Sequence, residues 1–157
     1  MKLQFWSIGK PHENYVSSGI EDFTKRVNNY FSCEWKIIAP LKNAVSLSVE
    51  QLKKQEAKTI LDSLQSDDIL ILLDERGKML DSPGLANAIQ QYANQSSKRL
   101  VFLIGGAFGV DDLVFKRADF VWSLSRLVFP HMLARLILSE QVYRACTILK
   151  GEKYHHV

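Results

Sequence analysis

The sequence predicts an α/β fold in which a mostly parallel sheet is covered by helices on both faces. Two observations carry this. Short apolar segments alternate with stretches of helical periodicity along the whole chain, the pattern of a layered α/β domain. Ile69–Leu73 is also a continuous apolar run bounded by charges, which suits a central parallel strand buried on both sides. With 157 residues, 46% of them hydrophobic and 24% charged, the chain reads as one domain over 1–157. A core of that size needs neither a disulfide nor a structural metal.

Each element follows from local signals. Residues 2–8, rich in apolar and aromatic types, predict a strand closed by Gly9-Lys10-Pro11. From Glu13 to Phe31, Val16, Ile20, Phe23, Val27 and Tyr30 recur at helical spacing and predict an amphipathic helix. Glu34–Ala39 predicts a second strand ended by Pro40, and 41–48 a loop. Ser48 with Gln51 forms a capping-box pair, opening a helix with Leu52, Ala57, Ile60, Leu61 and Leu64 on its apolar side. After the 69–73 strand, Asp81-Ser82-Pro83 opens a helix through about Asn94, with proline near its first position. Leu100–Ile104 predicts another central strand, and Gly105–Gly109 a tight turn. Asp111 or Asp112 starts a short helix to about Arg117, and Phe120–Leu124 forms a strand. Pro130 opens the last helix, to about Lys150. Its Leu133, Leu136, Ile137, Val142 and Ile148 cover more than one face, as expected at a subunit interface or in a single-chain core. Residues 151–157 form a polar tail.

The net charge of +3 is modest, but its placement is informative. Arg126, Arg135, Arg144, Lys150 and Lys153 face only Glu140 and Glu152 in the last 32 residues, so the whole excess lies there. His131, His155 and His156 lie there too. A local basic surface beside a neutral body suits a phosphate backbone, although a solvated helix would look the same. No apolar run approaches the roughly 18 residues of a membrane span, and the amino terminus lacks the pattern of a secretory signal. The expected location is the cytoplasm. Cys33 and Cys146 form no CxxC and share no ligand spacing with the histidines, so both are expected as buried free thiols.

In parallel α/β sheets, ligands bind outside the carboxyl ends of the strands. That rule singles out Asp74–Lys78, Gly105–Gly109 and Ser125–Phe129. The glycine spacing is not GxGxxG, and no Gly-Lys-Ser/Thr follows it, which argues against a nicotinamide-dependent oxidoreductase and a phosphate-loop enzyme. The glycines still allow a close backbone approach to a ligand, or simply a structural turn.

Taken together, several segments resemble the RlmH family, small bacterial SPOUT-class methyltransferases that act on large-subunit ribosomal RNA. They are Met1-Lys2-Leu3 with Ser7–Lys10, Leu73–Lys78, Leu103–Gly109, Ser123–Ser125, Phe129-Pro130-His131, Glu140–Ala145 and Tyr154-His155. The resemblance spans the chain in order. It implies a SPOUT-type fold with a deep trefoil knot in the C-terminal half, a homodimer, and S-adenosyl-L-methionine as methyl donor. The implied acceptor is N3 of a pseudouridine in 23S rRNA within the 70S ribosome, with no metal and no membrane involved. It assigns the donor to Leu73, Gly105, Leu124, Ser125, Arg126, Leu127, Val128 and Phe129, and apolar side chains there suit adenine and a methionine stem. Ala107-Phe108 departs from the family, in which smaller or polar residues are common between the glycines; Phe108 would cap the donor or pack at a dimer seam.

Displacement at a sulfonium needs no metal or covalent nucleophile, but the imide proton on N3 must leave. A general base or a stabilising cation is therefore required. The candidates are His131, Arg135, Tyr154 and His155, with His131 first because it follows the donor segment directly. Arg135 and Arg144 are expected at phosphates or the donor carboxylate, unless Arg144 simply pairs with Glu140 four residues earlier. Tyr154 is expected to stack on a base or to belong to a frayed tail. The competing functions are a SPOUT methyltransferase acting on tRNA and a non-catalytic, ribosome-associated RNA-binding module; donor binding separates the last from the rest.

Overall fold

In the computed structural model, which describes residues 1–156, ten main elements follow one another. They are β1 (Lys2–Ile8), α1 (Asn14–Val27), β2 (Cys33–Ile38), α2 (Val49–Ser63), β3 (Ile69–Met79), α3 (Ser82–Asn94), β4 (Arg99–Ile104), α4 (Asp112–Arg117), β5 (Phe120–Ser123) and α5 (His131–Leu149). A short 3-10 turn, Ala44–Ser46, lies in the loop before α2. The five strands are all parallel, in the order β2-β1-β4-β3-β5.

Alternation along the strands builds two cores. Leu3, Phe5, Ile71, Phe102 and Trp122 face Ile89 of α3 and Leu138 and Val142 of α5. Trp6, Leu70, Leu72, Val101 and Leu103 face Ile60 of α2 and Val114 of α4. Cys33 and Cys146 are free and buried on the first side, where burial pushes each thiol pKa up to about 12.

The helix starts form as their sequences dictate. The Ser48 hydroxyl accepts from the Gln51 N–H (3.2 Å), and the Gln51 side-chain oxygen accepts from the Ser48 N–H (3.1 Å). Asp81 accepts from the Gly84 N–H at 2.8 Å, and Asp111 from the Leu113 N–H at 3.0 Å. Each cap satisfies a donor that the first helical turn leaves unpaired.

Three boundaries or faces differ from the sequence reading. Helix α1 stops at Val27 rather than near Phe31, because the Asn28 amide bonds forward to the Cys33 carbonyl (2.8 Å) and accepts the Cys33 N–H (2.9 Å), bending the chain into β2. Strand β3 runs past Leu73 to Met79 through a register shift, with Trp122 opposite both Leu73 and Lys78. Gly77 permits that crossing: a Cβ there would lie 2.5 Å from the Val121 carbonyl oxygen. On α5 the buried residues are Ala134, Arg135, Leu138, Ser139, Val142, Ala145, Cys146 and Thr147. Of the five apolar residues assigned to a subunit interface or a single-chain core, only Val142 is buried within the chain, so the core alternative holds fully for Val142 alone. Packed between α1 and α3, α5 is covered by neighbours on two flanks as well as by the sheet, so it has no single apolar stripe. Leu136 fills the notch left by Gly19 of α1, where a Cβ would come within 2.8 Å of its methyl.

The amino ends of the strands are closed by charge. Asp68, fully buried at its side chain, accepts from Arg99 Nε at 2.9 Å, pairs with Arg99 Nη2, and accepts the Gln65 N–H at 2.7 Å. Burial alone would raise its pKa, but the Arg99 and Gln65 hydrogen bonds outweigh it and hold the carboxyl below its ordinary value. Arg117 donates to the Asp68 carbonyl (2.7 Å) and to Asp119 (3.2 Å), whose carboxylate also accepts the Leu70 N–H (2.8 Å). No helix of the structure is long and apolar enough to cross a membrane.

Candidate active site

Toward the opposite end of the sheet, the middle of β3, where its register shifts, and the loops after β4 and β5 converge on one cavity of about 580 Å³. All three segments singled out by the strand-end rule contribute to it. The loop after β4 is a glycine turn. Gly109 has φ +80°, a conformation costly for residues with a side chain, and its N–H bonds back to the Gly106 carbonyl at 3.1 Å. Gly105 has no room for a side chain either, since its Cβ would sit 2.6 Å from a Val110 methyl. Glu56 of α2 lies over Gly106, and burial raises its pKa. The turn therefore offers largely backbone to the cavity.

The loop after β5 is shaped by two serines. Ser123 Oγ donates to the Ser125 carbonyl at 2.9 Å, and Ser125 Oγ accepts the Leu127 N–H at 3.0 Å. The resulting turn projects Leu127 and Val128 outward, 71% and 77% exposed. Phe108, 57% exposed, faces the same cavity from the glycine turn. Exposed aliphatic and aromatic side chains around one concavity mark a place where an apolar ligand surface is expected.

Polar groups sit at the edge. Within β3, at its register shift, Asp74 is gripped by Arg76 through Nε (2.9 Å), Nη2 (3.2 Å) and the backbone N–H (2.9 Å). Burial works to raise the Asp74 pKa, but these bonds prevail and hold it low. The Arg76 guanidinium also stacks on Phe115 at 4.5 Å. His131 is the first residue of α5 and lines the cavity, half-buried. Burial lowers its pKa, and the nearby Arg135 charge lowers it further.

Of the residues expected from the sequence, Leu73, Gly105, Leu124, Ser125, Leu127, Val128, Phe129 and His131 line this cavity together. Arg126 is exposed beside it and does not line it. Arg135 is fully buried and also absent from the lining. Its Nε donates to Ser7 Oγ (3.0 Å), and Nη1 donates to the Lys10 carbonyl (2.9 Å) and lies 3.2 Å from His12 Nδ1. The structure thus places Arg135 in protein contacts rather than on a phosphate or donor carboxylate.

Tyr154 and His155 form a separate cluster around Arg144, which is thirteen residues beyond His131 and about 20 Å along the helix by its rise. Arg144 is forked onto Glu140 (2.7 and 3.2 Å), the surface-pair alternative of the sequence reading. Tyr154 donates to Glu140 at 2.9 Å and packs on Tyr143, ring centroids 4.7 Å apart. His155 Nδ1 lies 3.4 Å from Arg144. Tyr154 and His155 are therefore held by side-chain contacts and stand apart from the cavity within one chain, while Val157, the last residue of the expected tail, lies outside the described residues.

Asp74, Glu75 and Arg76 were indicated only as part of a strand-end segment, and Lys53, delivered from α2, had no sequence signal. Among the described residues there is no group of three or more His, Cys, Asp or Glu that could hold a metal ion.

Residues 1–155 match the family described as "Predicted SPOUT methyltransferase". The chain is 47% identical over 156 residues to a protein of Cytophaga hutchinsonii named ribosomal RNA large subunit methyltransferase H, covering 99% of this chain and 100% of that one. Proteins of the same name from Christiangramia forsetii and Bacteroides thetaiotaomicron are 40% and 39% identical, each alignment covering 99% of both chains. Among solved structures, a probable methyltransferase from Bordetella pertussis shares the fold with a TM-score of 0.57 at 10% identity, over 92% of this chain and 94% of that one.

Proposed function

This chain belongs to the SPOUT methyltransferase family, and within it to the ribosomal RNA large subunit methyltransferase H family, and we propose that it methylates N3 of a pseudouridine in 23S rRNA on the assembled ribosome, as a homodimer using S-adenosylmethionine. The observation that carries this reading is the convergence of the middle of β3 and the loops after β4 and β5 on one cavity with His131 in its lining. The volume of about 580 Å³ falls within the range of small-molecule sites. Its lining of aliphatic side chains and bare glycine backbone fits the apolar faces and hydrogen-bonding edge of an adenosyl group. The trefoil threading expected from the family goes with the same reading.

When bound, S-adenosylmethionine supplies a sulfonium-activated methyl group and leaves as a neutral thioether. Leu73, Leu124, Leu127, Val128 and Phe129 would enclose it and exclude water, and Gly105 leaves room for its backbone-facing side. His131, held uncharged at neutral pH, accepts the N3 proton as the nitrogen forms its new bond to carbon. Fixing N3 and the methyl group at near-attack distance supplies much of the rate. Lys53 and Arg76 in the lining, with Arg126 exposed alongside, offer positive charge to the phosphate backbone.

Mass spectrometry of rRNA from a deletion strain tests the assignment, with calorimetry of the purified protein against S-adenosylmethionine. One pseudouridine of 23S rRNA is expected to lose its methyl group, to be restored by the wild-type protein, and to be restored at least about a hundredfold more slowly by His131→Ala. A methyl missing from tRNA instead would move the activity to tRNA. Absence of donor binding would leave only the non-catalytic RNA-binding function.

A further inference from the structure

Arg135 is the largest buried charged side chain in the molecule, at 0% exposure. None of the ion pairs among the described residues includes it. Every partner of its guanidinium is formally neutral: Ser7 Oγ at the end of β1, the Lys10 carbonyl and His12 Nδ1 in the turn before α1, and Met132 Sδ at 3.5 Å. Gly9 makes this fit possible. It has φ +143°, and a Cβ there would lie 3.2 Å from Arg135 Nη2, so the turn wraps closely around the cation. Burying an unpaired charge is costly. Arg135 stands four residues after His131, one helical turn deeper on α5.

We infer that Arg135 is a positioning residue for the methyl-transfer site: it fastens the first turn of α5, which carries His131, to the β1–α1 turn and presents its unshared positive charge to the His131 ring. The inference rests on the proposed role of His131 as proton acceptor. The chemistry follows from charge. An imidazolium at position 131 would stand one turn from the residue that carries a buried guanidinium and at the positive end of the α5 dipole, with no capping side chain at Pro130 to offset them. A neutral ring faces no such penalty and has a lone pair free for the N3 proton. The other ionisable groups around these elements are Lys53, Asp74, Glu75 and Arg76 across the cavity, and Lys10, His12, Glu13 and Glu21 on the β1–α1 side. Asp74 is committed to Arg76, and Glu13 is the only carboxylate whose charge acts on Arg135, without pairing to it. His131 and His12 are both shifted down by burial and by Arg135, in agreement with the geometry.

The test is a proton NMR titration of the histidines in the donor-free protein, alongside the pH profile of methyl transfer to 70S ribosomes, for wild type, Arg135→Lys and Arg135→Met. In wild type, His131 is expected to titrate below its ordinary 6.5. In Arg135→Met it moves up, although burial still holds it down, and the acid limb of kcat/KM moves with it. Arg135→Lys keeps the charge but loses the fork, so His131 stays low while kcat falls about tenfold. An unchanged His131 titration in folded Arg135→Met, or full kcat in Arg135→Lys, overturns the inference. Should Arg135→Met fail to fold, wild type decides: titration of His131 at or above 6.5 overturns it. If wild type methylates no RNA, the functional assignment falls by itself, and the titration still judges the charge coupling.

Discussion

The two ends of the sheet solve opposite problems with the same residue type. At the amino ends, Arg99 and Arg117 meet Asp68, Asp119 and backbone carbonyls, so each buried or half-buried charge there has an opposite partner. At the carboxyl ends, Arg135 is buried more completely and meets only neutral acceptors, while Phe108, Leu127 and Val128 stand in solvent. One end is a satisfied structural lock. The other keeps a surplus of positive charge and of apolar surface that the folded chain does not itself consume. Local energy left unrelieved in a native structure tends to coincide with function, and here the contrast lies within a single layer of strands.

Breaking the lock is expected to give the largest effect. Asp68→Ala leaves Arg99 without its carboxylate and the Gln65 N–H without its acceptor, and is expected to cost about 3 kcal/mol of stability in urea denaturation. Donor affinity, measured on the folded fraction, should be unchanged, since Asp68 lies at the far end of the strands; a large loss of affinity would erase the distinction between the ends. Gly105→Ala acts at the other pole. Its Cβ would press on Val110 at 2.6 Å, costing about 1–3 kcal/mol as the turn gives way, and donor affinity should fall with it. Calorimetry and thermal unfolding on the same variant would show the two losses together.

The smallest effect, and the sharpest test of the comparison, is in pH. His12 and His131 have folded pKa values below their ordinary 6.5, so below that pH the unfolded chain binds more protons than the folded one. Their stabilising contribution is present above pH 6.5 and is lost as pH falls through the histidine range. Asp68 and Asp74 are held below 3.8, so their contribution is lost only at still lower pH. The urea midpoint should therefore decline between about pH 7 and 5, and the double variant His12→Asn, His131→Asn should flatten that decline. A decline of equal size in the double variant would place its origin elsewhere.

Much of the fold was legible because its signals are local. Ser48 with Gln51, Asp81 before Pro83, and Asp111 each capped the helix their chemistry indicated. Ile69–Leu73 announced a strand covered on both faces, and the strand-end rule named the three segments that form the cavity, although Asp74–Lys78 proves to be a continuation of β3 rather than a loop beyond it. What the sequence concealed was long-range. The partners of Arg135 in β1 and the β1–α1 turn lie 123 to 128 positions away and carry no charge, so nothing near residue 135 distinguishes a buried clamp from a phosphate contact. The pattern on α5 told of more than one covered face but not of which residues each neighbour covers, because a helix packed on several sides loses the periodicity that exposes a single stripe. Asn28 ended α1 through a bond to Cys33 that no helical pattern encodes.

Cys33 and Cys146 carry one more consequence. A thiol reacts through its thiolate, and with both pKa values near 12 and both sulfurs enclosed, neither residue offers any to the surroundings while the protein is intact. Since one sits on β2 and the other on the last helix, alkylation of either one keeps time for a different breathing motion. The rate at Cys33 clocks release of the sheet's border strand, and the rate at Cys146 clocks detachment of the helix that bears His131 at its other end.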